Sequence, residues 1–192
     1  MPVPYLTMDG LIITLPEPSE ASIIQQYYLD NTDHLVQWEP IRESRYHTLQ
    51  AWKNRLQLFL ALYQADRGVY WSVFDAERKR ILAVCNYSNI VRGAFQACHL
   101  GYSVDYRYQG QGLMFKVLSN TIEYMFKEHK LHRIMANYIP ENERSGRLLQ
   151  RLGFEKEGYA KAYLNINGQW RDHILTAKVN DQWGIPCPEN TV

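Results

Sequence analysis

Hydrophobic and polar positions follow two rhythms along this chain, and the switches between them mark its elements. Leu11–Leu15 is an apolar run stopped by Pro16 and Pro18, which predicts a first strand. Ser19 offers an N-cap for a helix to about Leu29. Thr48 offers another. Behind it Leu49, Trp52, Leu56, Phe59, Leu60 and Tyr63 recur at helical spacing and form one buried stripe. Tyr70–Phe74 and Ile81–Tyr87 read as strands, and the charged turn Asp75–Arg80 joins them as an antiparallel hairpin. Ala97–Val104 is a further strand. Met114, Val117, Leu118, Ile122 and Met125 mark the apolar face of the helix that follows. Ile134–Tyr138 reads as a strand cut off by Pro140. Asn142 then caps a helix carrying Leu148, Leu149 and Leu152, and Gly153 sits where a left-handed residue ends it. Tyr163–Ile166 and Trp170–Leu175 flank Asn167-Gly168, a strong hairpin signal. Pro186 and Pro188 indicate a loose tail. No repeat or internal linker interrupts the pattern. The expectation is an α/β fold in one domain over residues 1–178, with a mixed, mostly antiparallel sheet flanked by helices, and a tail over 179–192.

Composition narrows the function classes. A chain of 192 residues that is 46% hydrophobic and 21% charged is long enough and apolar enough to bury a full core. A net charge of +1 leaves no global basic footprint, so direct DNA binding is not expected. The longest apolar runs, such as Leu58–Tyr63, are too short to span a bilayer. The N-terminal residues show no basic region followed by a long apolar core, so a cytoplasmic protein is expected. Cys85, Cys98 and Cys187 form no metal framework. Free thiols in a reducing compartment are the simplest reading, with Cys85 and Cys98 as buried small hydrophobes.

The chemistry concentrates where the strand Ala97–Val104 runs into Arg107-Tyr108-Gln109-Gly110-Gln111-Gly112 and then a helix from Leu113. Gly110 and Gly112 tolerate backbone angles closed to other residues, so successive N–H groups can converge on one point. The helix start adds free N–H groups and the positive end of its dipole. This predicts a bound anion, such as the phosphates of a cofactor. A P-loop is ruled out because Leu113-Met114 stands where Lys-Ser/Thr is needed. A dinucleotide fingerprint is disfavoured by Phe115 at its third glycine. The remaining pattern is Arg/Gln-x-x-Gly-x-Gly/Ala, which two glycines near an arginine satisfy often by chance.

A second block changes that balance. Pro140-Glu141-Asn142-Glu143-Arg144-Ser145, followed by Leu152-Gly153-Phe154, lies about thirty residues on. With Arg107–Gly112, it resembles the GCN5-related N-acetyltransferase (GNAT) superfamily. Trp38-Glu39-Pro40, Asn86–Gly93, His132–Tyr138, Gly153–Tyr159 and Gly168–His173 extend the likeness over residues 10–178 and narrow it to the branch that modifies ribosomal proteins. The resemblance implies a GNAT-type domain. It implies acetyl transfer from acetyl-CoA, with no metal, to the N-terminal alanine of a ribosomal protein. It also implies direct attack of the amine through a tetrahedral intermediate, and possible contact with the ribosome as the acceptor's setting. On the same likeness, Tyr102, Ser103 and Val104 pair with the pantetheine amides through backbone groups. Arg107, Tyr108, Gln109, Gly110, Gln111, Gly112 and Leu113 hold the pyrophosphate, mainly through backbone N–H groups with help from the Arg107 side chain. Asn142 binds cofactor as well as capping its helix. Ser145 lies near the sulfur and protonates the leaving thiolate. Leu149 stands where other branches carry a tyrosine acid, which adds weight to Ser145.

The base is less legible. Asn137 stands where a related branch carries glutamate, and it cannot accept a proton. Glu39 is the candidate to bind or deprotonate the amine, with a loop salt bridge as its plain alternative. His99 and a water chain are the others. Asp172 matches a family aspartate, or simply pairs with an arginine. Arg144, Arg147 and Arg151 share a helix face that meets the adenosine 3′-phosphate, RNA or solvent. Tyr28, Trp38 and Tyr46 lie in the half that shapes the acceptor groove in the family. An α-amino group with a pKa near 7.8 is about 14% neutral at pH 7, against about 0.04% for lysine. A weakly marked base therefore favours an N-terminal amine. A small-molecule amine acceptor and a non-catalytic acyl-CoA-binding module stay open as alternatives.

Overall fold

In the computed structural model, which describes residues 2–184, the two rhythms resolve into eight strands and five α-helices. The strands are β1 (Tyr5–Met8), β2 (Leu11–Thr14), β3 (Val69–Phe74), β4 (Ile81–Val91), β5 (Ala97–Val104), β6 (Arg133–Met135), β7 (Glu155–Ile166) and β8 (Gln169–Val179). The helices are α1 (Ala21–Asp30), α2 (Thr32–Leu35), α3 (Leu49–Gln64), α4 (Leu113–Lys127) and α5 (Glu143–Arg151). All strands join one sheet in the order β1-β2-β3-β4-β5-β6-β8-β7. Only β5 and β6 run parallel. The expected α/β fold, a mixed and mostly antiparallel sheet flanked by helices, is what forms.

Local signals act largely as their chemistry dictates. Thr48 caps α3 by accepting from Ala51 N at 3.2 Å, and Asn142 caps α5 by accepting from Ser145 N at 3.2 Å. Gly153 takes the left-handed conformation after α5, and Asn167-Gly168 turns the β7–β8 hairpin with both residues at positive φ. Ser19 does not cap α1. It lies inside a 3₁₀ turn, Pro18–Glu20, where Glu17 N donates to Glu20 Oε2 at 2.8 Å, and the helix starts at Ala21. β1 is absent from the hydrophobic pattern because its four residues are only half covered. Its signal was Asp9-Gly10, a hairpin turn with both residues at positive φ. β4, β7 and β8 run longer than their apolar runs, because backbone pairing continues where side chains face solvent. β6 stops early, and Tyr138 keeps only an isolated bridge to Ile174.

Strand alternation divides the core into two faces. Val69, Trp71 and Val73 of β3 and Ala83, Cys85 and Tyr87 of β4 pack with Val117, Leu118 and Met125 of α4. Val84 and Phe74 turn the other way onto Ile24 and Tyr27 of α1 and Trp52 and Leu56 of α3. Cys85 and Cys98 are buried, and burial pushes both thiols up to about 12, so they act as small hydrophobes. Among the described residues no helix is long and apolar enough to cross a membrane. Residues just after β8 are tied down, with Trp183 Nε1 donating to the Lys130 carbonyl at 2.8 Å. Of the expected tail, Pro186, Cys187 and Pro188 lie outside the described residues.

The feature that makes the site is a parting in the sheet. β5 and β6 pair only from Ala97–His99 to Arg133–Met135. Beyond that point residues 100–104 of β5 keep β4 as their single neighbour. One backbone edge is left open there, and the starts of α4 and α5 line the same opening.

Candidate active site

The parting opens into a cleft of about 1140 Å³, large for a small-molecule site. Of the residues expected there, Glu39, Tyr102, Ser103, Val104, Tyr108, Gln109, Gly110, Gly112, Leu113, Asn142 and Ser145 line it. Arg107 and Gln111 do not. The Arg107 guanidinium turns back onto Asp105, with Nε donating to Oδ1 at 2.9 Å and Nη2 also engaged. Asp30 lies 3.6 Å away on its other side. Gln111 Nε2 donates to the Arg107 carbonyl at 2.8 Å. The side-chain help expected from Arg107 is therefore spent on shaping the loop.

The loop itself is an N–H cradle. Gly110 and Gly112 have φ of 71° and 77°, and Gly112 is the N-cap of α4. The N–H groups of Gly110, Gln111 and Gly112 make no hydrogen bond with the described residues. The first N–H groups of α4 are free by helix geometry. Asp105 anchors this arrangement from beneath: it is buried and accepts from both the N–H and the guanidinium of Arg107. Burial works to raise its pKa, but the Arg107 hydrogen bonds and charge outweigh it and hold the carboxyl below its usual range. Asp105→Ala is expected to lower stability by about 2 kcal/mol at neutral pH. A carboxyl depressed in the folded state stabilises above its unfolded pKa. The deficit relative to wild type should therefore shrink as pH falls below about 4, which denaturant titrations across pH would measure.

Across the cleft, Ser145 sits in the first turn of α5, and its Oγ lies 2.7 Å from the Tyr102 hydroxyl of β5. Burial pushes the Tyr102 phenol up to about 12, so it keeps its proton at neutral pH. Gly146 lets the Tyr138 ring close onto α5, because a Cβ there would stand 2.8 Å from the ring. Tyr27 of α1 supports the open strand edge through Ser103 Oγ at 2.9 Å. At the mouth, Arg144 donates to Gln109 Oε1 at 2.7 Å, and Gln109 Nε2 meets the His34 ring at 2.5 Å. With Arg147 bonded to Glu143 and Arg151 over the Phe115 ring, all three arginines border the cleft rather than a purely solvated face.

On the far side, burial raises the Glu39 carboxyl pKa against the opposing charge of Arg42. Its carbonyl accepts from Asn167 N at 2.9 Å, which ties the Trp38–Pro40 loop to the β7–β8 hairpin. Tyr28 and Trp38 also line the cleft, whereas Tyr46 does not. His99 lies outside the lining, with Nδ1 buried and unpartnered between strands. Asp172 accepts from Ala162 N at 2.7 Å and from the Tyr159 hydroxyl, so it holds a bulge in β7 rather than an arginine. Asn137 lines the cleft, with its Oδ1 accepting from Thr176 N at 3.2 Å.

One lining residue had no role in the sequence reading. His173 of β8 is buried and borders the cleft. Its Nδ1 lies 3.1 Å from the Arg171 carbonyl, which can only accept. In the neutral ring Nδ1 therefore carries the hydrogen, and Nε2 keeps a free lone pair. A histidine in a strand reads equally well as core filling, and only the cleft separates the two.

The fold and the cleft define an acetyltransferase. The model of the acetyltransferase (GNAT) domain matches residues 11–155, and the chain belongs to that family. It is an N-acetyltransferase. It is 46% identical over 183 residues to the [ribosomal protein uS5]-alanine N-acetyltransferase of Escherichia coli (strain K12), spanning 95% of this chain and 94% of that one. The crystal structure of the ribosomal-protein-S5-alanine acetyltransferase of Vibrio fischeri superposes with a TM-score of 0.90 at 44% identity, covering 94% of this chain and 98% of the other. Mycobacterium smegmatis RimJ in complex with CoA-disulfide gives 0.85 at 25% identity, covering 95% and 88%.

Proposed function

We propose that the protein transfers the acetyl group of acetyl-CoA to the α-amino group of an N-terminal alanine on a ribosomal protein, in the cytoplasm. One observation carries this reading: a free N–H cradle, an unpaired strand edge and a hydroxyl pair line a single cleft. Their chemistry suits a ligand that is in turn phosphate, amide and thioester. The names of the E. coli and V. fischeri relatives supply the acceptor.

The N–H groups of residues 110–115 receive the pyrophosphate, and the backbone of Tyr102–Val104 pairs with the pantetheine amides and polarises the thioester carbonyl. The thioester supplies the activated acetyl group. Glu39 draws in the acceptor ammonium by charge. His173 Nε2, with its free lone pair at the cleft, takes the proton the amine must lose. The neutral amine then bonds to the carbonyl carbon through a tetrahedral intermediate. As the C–S bond breaks, Ser145 gives its proton to the thiolate, and the proton that the bonded nitrogen sheds returns to Ser145 by way of the Tyr102 hydroxyl.

The test is incubation with acetyl-CoA and a peptide beginning with a free alanine, following thiol release and locating the acetyl group by mass spectrometry. Acetyl on the α-amine, and none after blocking that amine, is expected. Turnover confined to small amines would instead make it a small-molecule acyltransferase. Tight CoA binding with no turnover would make it a binding module.

A further inference from the structure

Beside the cleft lies a second chamber of about 140 Å³. Tyr28, Glu39, Val84 and Asn86 line both spaces, so the chamber shares a wall with the cleft on the Glu39 side. Its charges are unbalanced. Arg42 and Arg55 face it against the single carboxylate of Glu39, and among the described residues neither arginine makes an ion pair.

Arg55 is built to hold something. Its guanidinium lies 3.7 Å from the Tyr46 ring centroid and 4.1 Å from that of Trp52. The two rings, nearly perpendicular to each other, thus hold the cation in an aromatic corner. Nη2 donates to the Tyr46 carbonyl at 3.3 Å, but Nη1 is buried with no partner. The indole Nε1 of Trp52, on the same wall, is also buried and unpartnered. Two donors without acceptors around one small space are costly unless a ligand satisfies them. Burial already weakens the hold of Arg55 on its proton. A carboxylate is an acceptor-only group of opposite charge that matches the arginine fork.

We propose that this chamber is the subsite for a carboxylate side chain carried within the first few residues of the acceptor chain. The inference rests on the acceptor reading above: the α-amine lies by Glu39, and the chain beyond it passes the shared wall. Arg55 and Arg42 then select an acidic residue after the alanine, a preference that the transfer chemistry itself does not require.

The experiment uses the full chain, acetyl-CoA and alanine-initiated hexapeptides in which one glutamate is moved through positions 2 to 5, each with a glutamine counterpart. At one position glutamate should lower KM about tenfold relative to glutamine, with kcat within twofold. Arg55→Gln should abolish that preference while leaving turnover of the glutamine peptide within twofold, and circular dichroism would confirm its fold. The peptide series with the unaltered protein decides the question even if that variant does not fold. Turnover of all peptides without preference for glutamate overturns the subsite alone. A preference that survives in folded Arg55→Gln does the same. Absence of turnover on every alanine peptide overturns the acceptor reading and the subsite with it.

Discussion

Ser145→Ala, which removes the proton donor proposed on α5, is expected to cut kcat about 100-fold while leaving acetyl-CoA affinity within about twofold. The argument is one of position. Asn142 holds the first turn of α5 through Ser145 N, and the Ser145 hydroxyl contacts Tyr102 rather than the N–H cradle. Loss of the hydroxyl therefore removes an acid without loosening the phosphate site. Tyr102→Phe provides the companion measurement. It keeps the ring that packs against the core and removes only the phenol. A drop of about tenfold in kcat is expected, because Ser145 keeps its proton but loses the hydrogen bond that aims it. Equal losses of affinity and turnover in either variant would show that the pair holds the donor instead.

His173→Gln should lower kcat at pH 7 by about 100-fold, and the defect should fade as pH rises past the amine pKa of about 7.8. Above that value the acceptor loses its proton to solvent and needs no base. A purely structural role for the ring would leave the defect constant across pH. The Tyr163 ring lies beside that of His173, with centroids 5.4 Å apart, and Tyr138 and Glu141 line the same cleft. Glu39→Gln should differ in kind, raising KM for the peptide more than it changes kcat. Because burial raises the Glu39 pKa, its carboxylate is neutralised at a higher pH than an exposed glutamate. The peptide KM of the unaltered protein should climb as pH falls through that region, and this dependence should vanish in Glu39→Gln.

The half of the cleft proposed to hold the donor was the more legible. Gly110 and Gly112 are spaced for left-handed turns, and Asn142 stands where α5 must begin, so short-range rules located both walls. Arg107 shows where such rules stop. Its place in the motif suggested a phosphate ligand, but a neighbour two residues away, the buried carboxylate of Asp105, binds it first. The acceptor half was harder to read because its members come from distant parts of the chain. Glu39 stands on an N-terminal loop and His173 on β8, and each residue type has an ordinary structural use at such a position. Tyr102 was read for its backbone alone. Its hydroxyl acquires a role only because α5 folds back across β5.

Hydrophobic periodicity, caps and turn residues by themselves determined most of the elements and their order, because each acts over a few residues; β1 and the short α2 left no such periodic mark. The sequence likewise determined the anion cradle, a local property of one turn and one helix start. Only the tertiary structure decided where β5 and β6 part, which strand edge is left without a partner, and that Arg55 is half-buried without an ion-pair partner among the described residues. Those outcomes depend on contacts between residues far apart in sequence, and no local pattern encodes a contact that is missing.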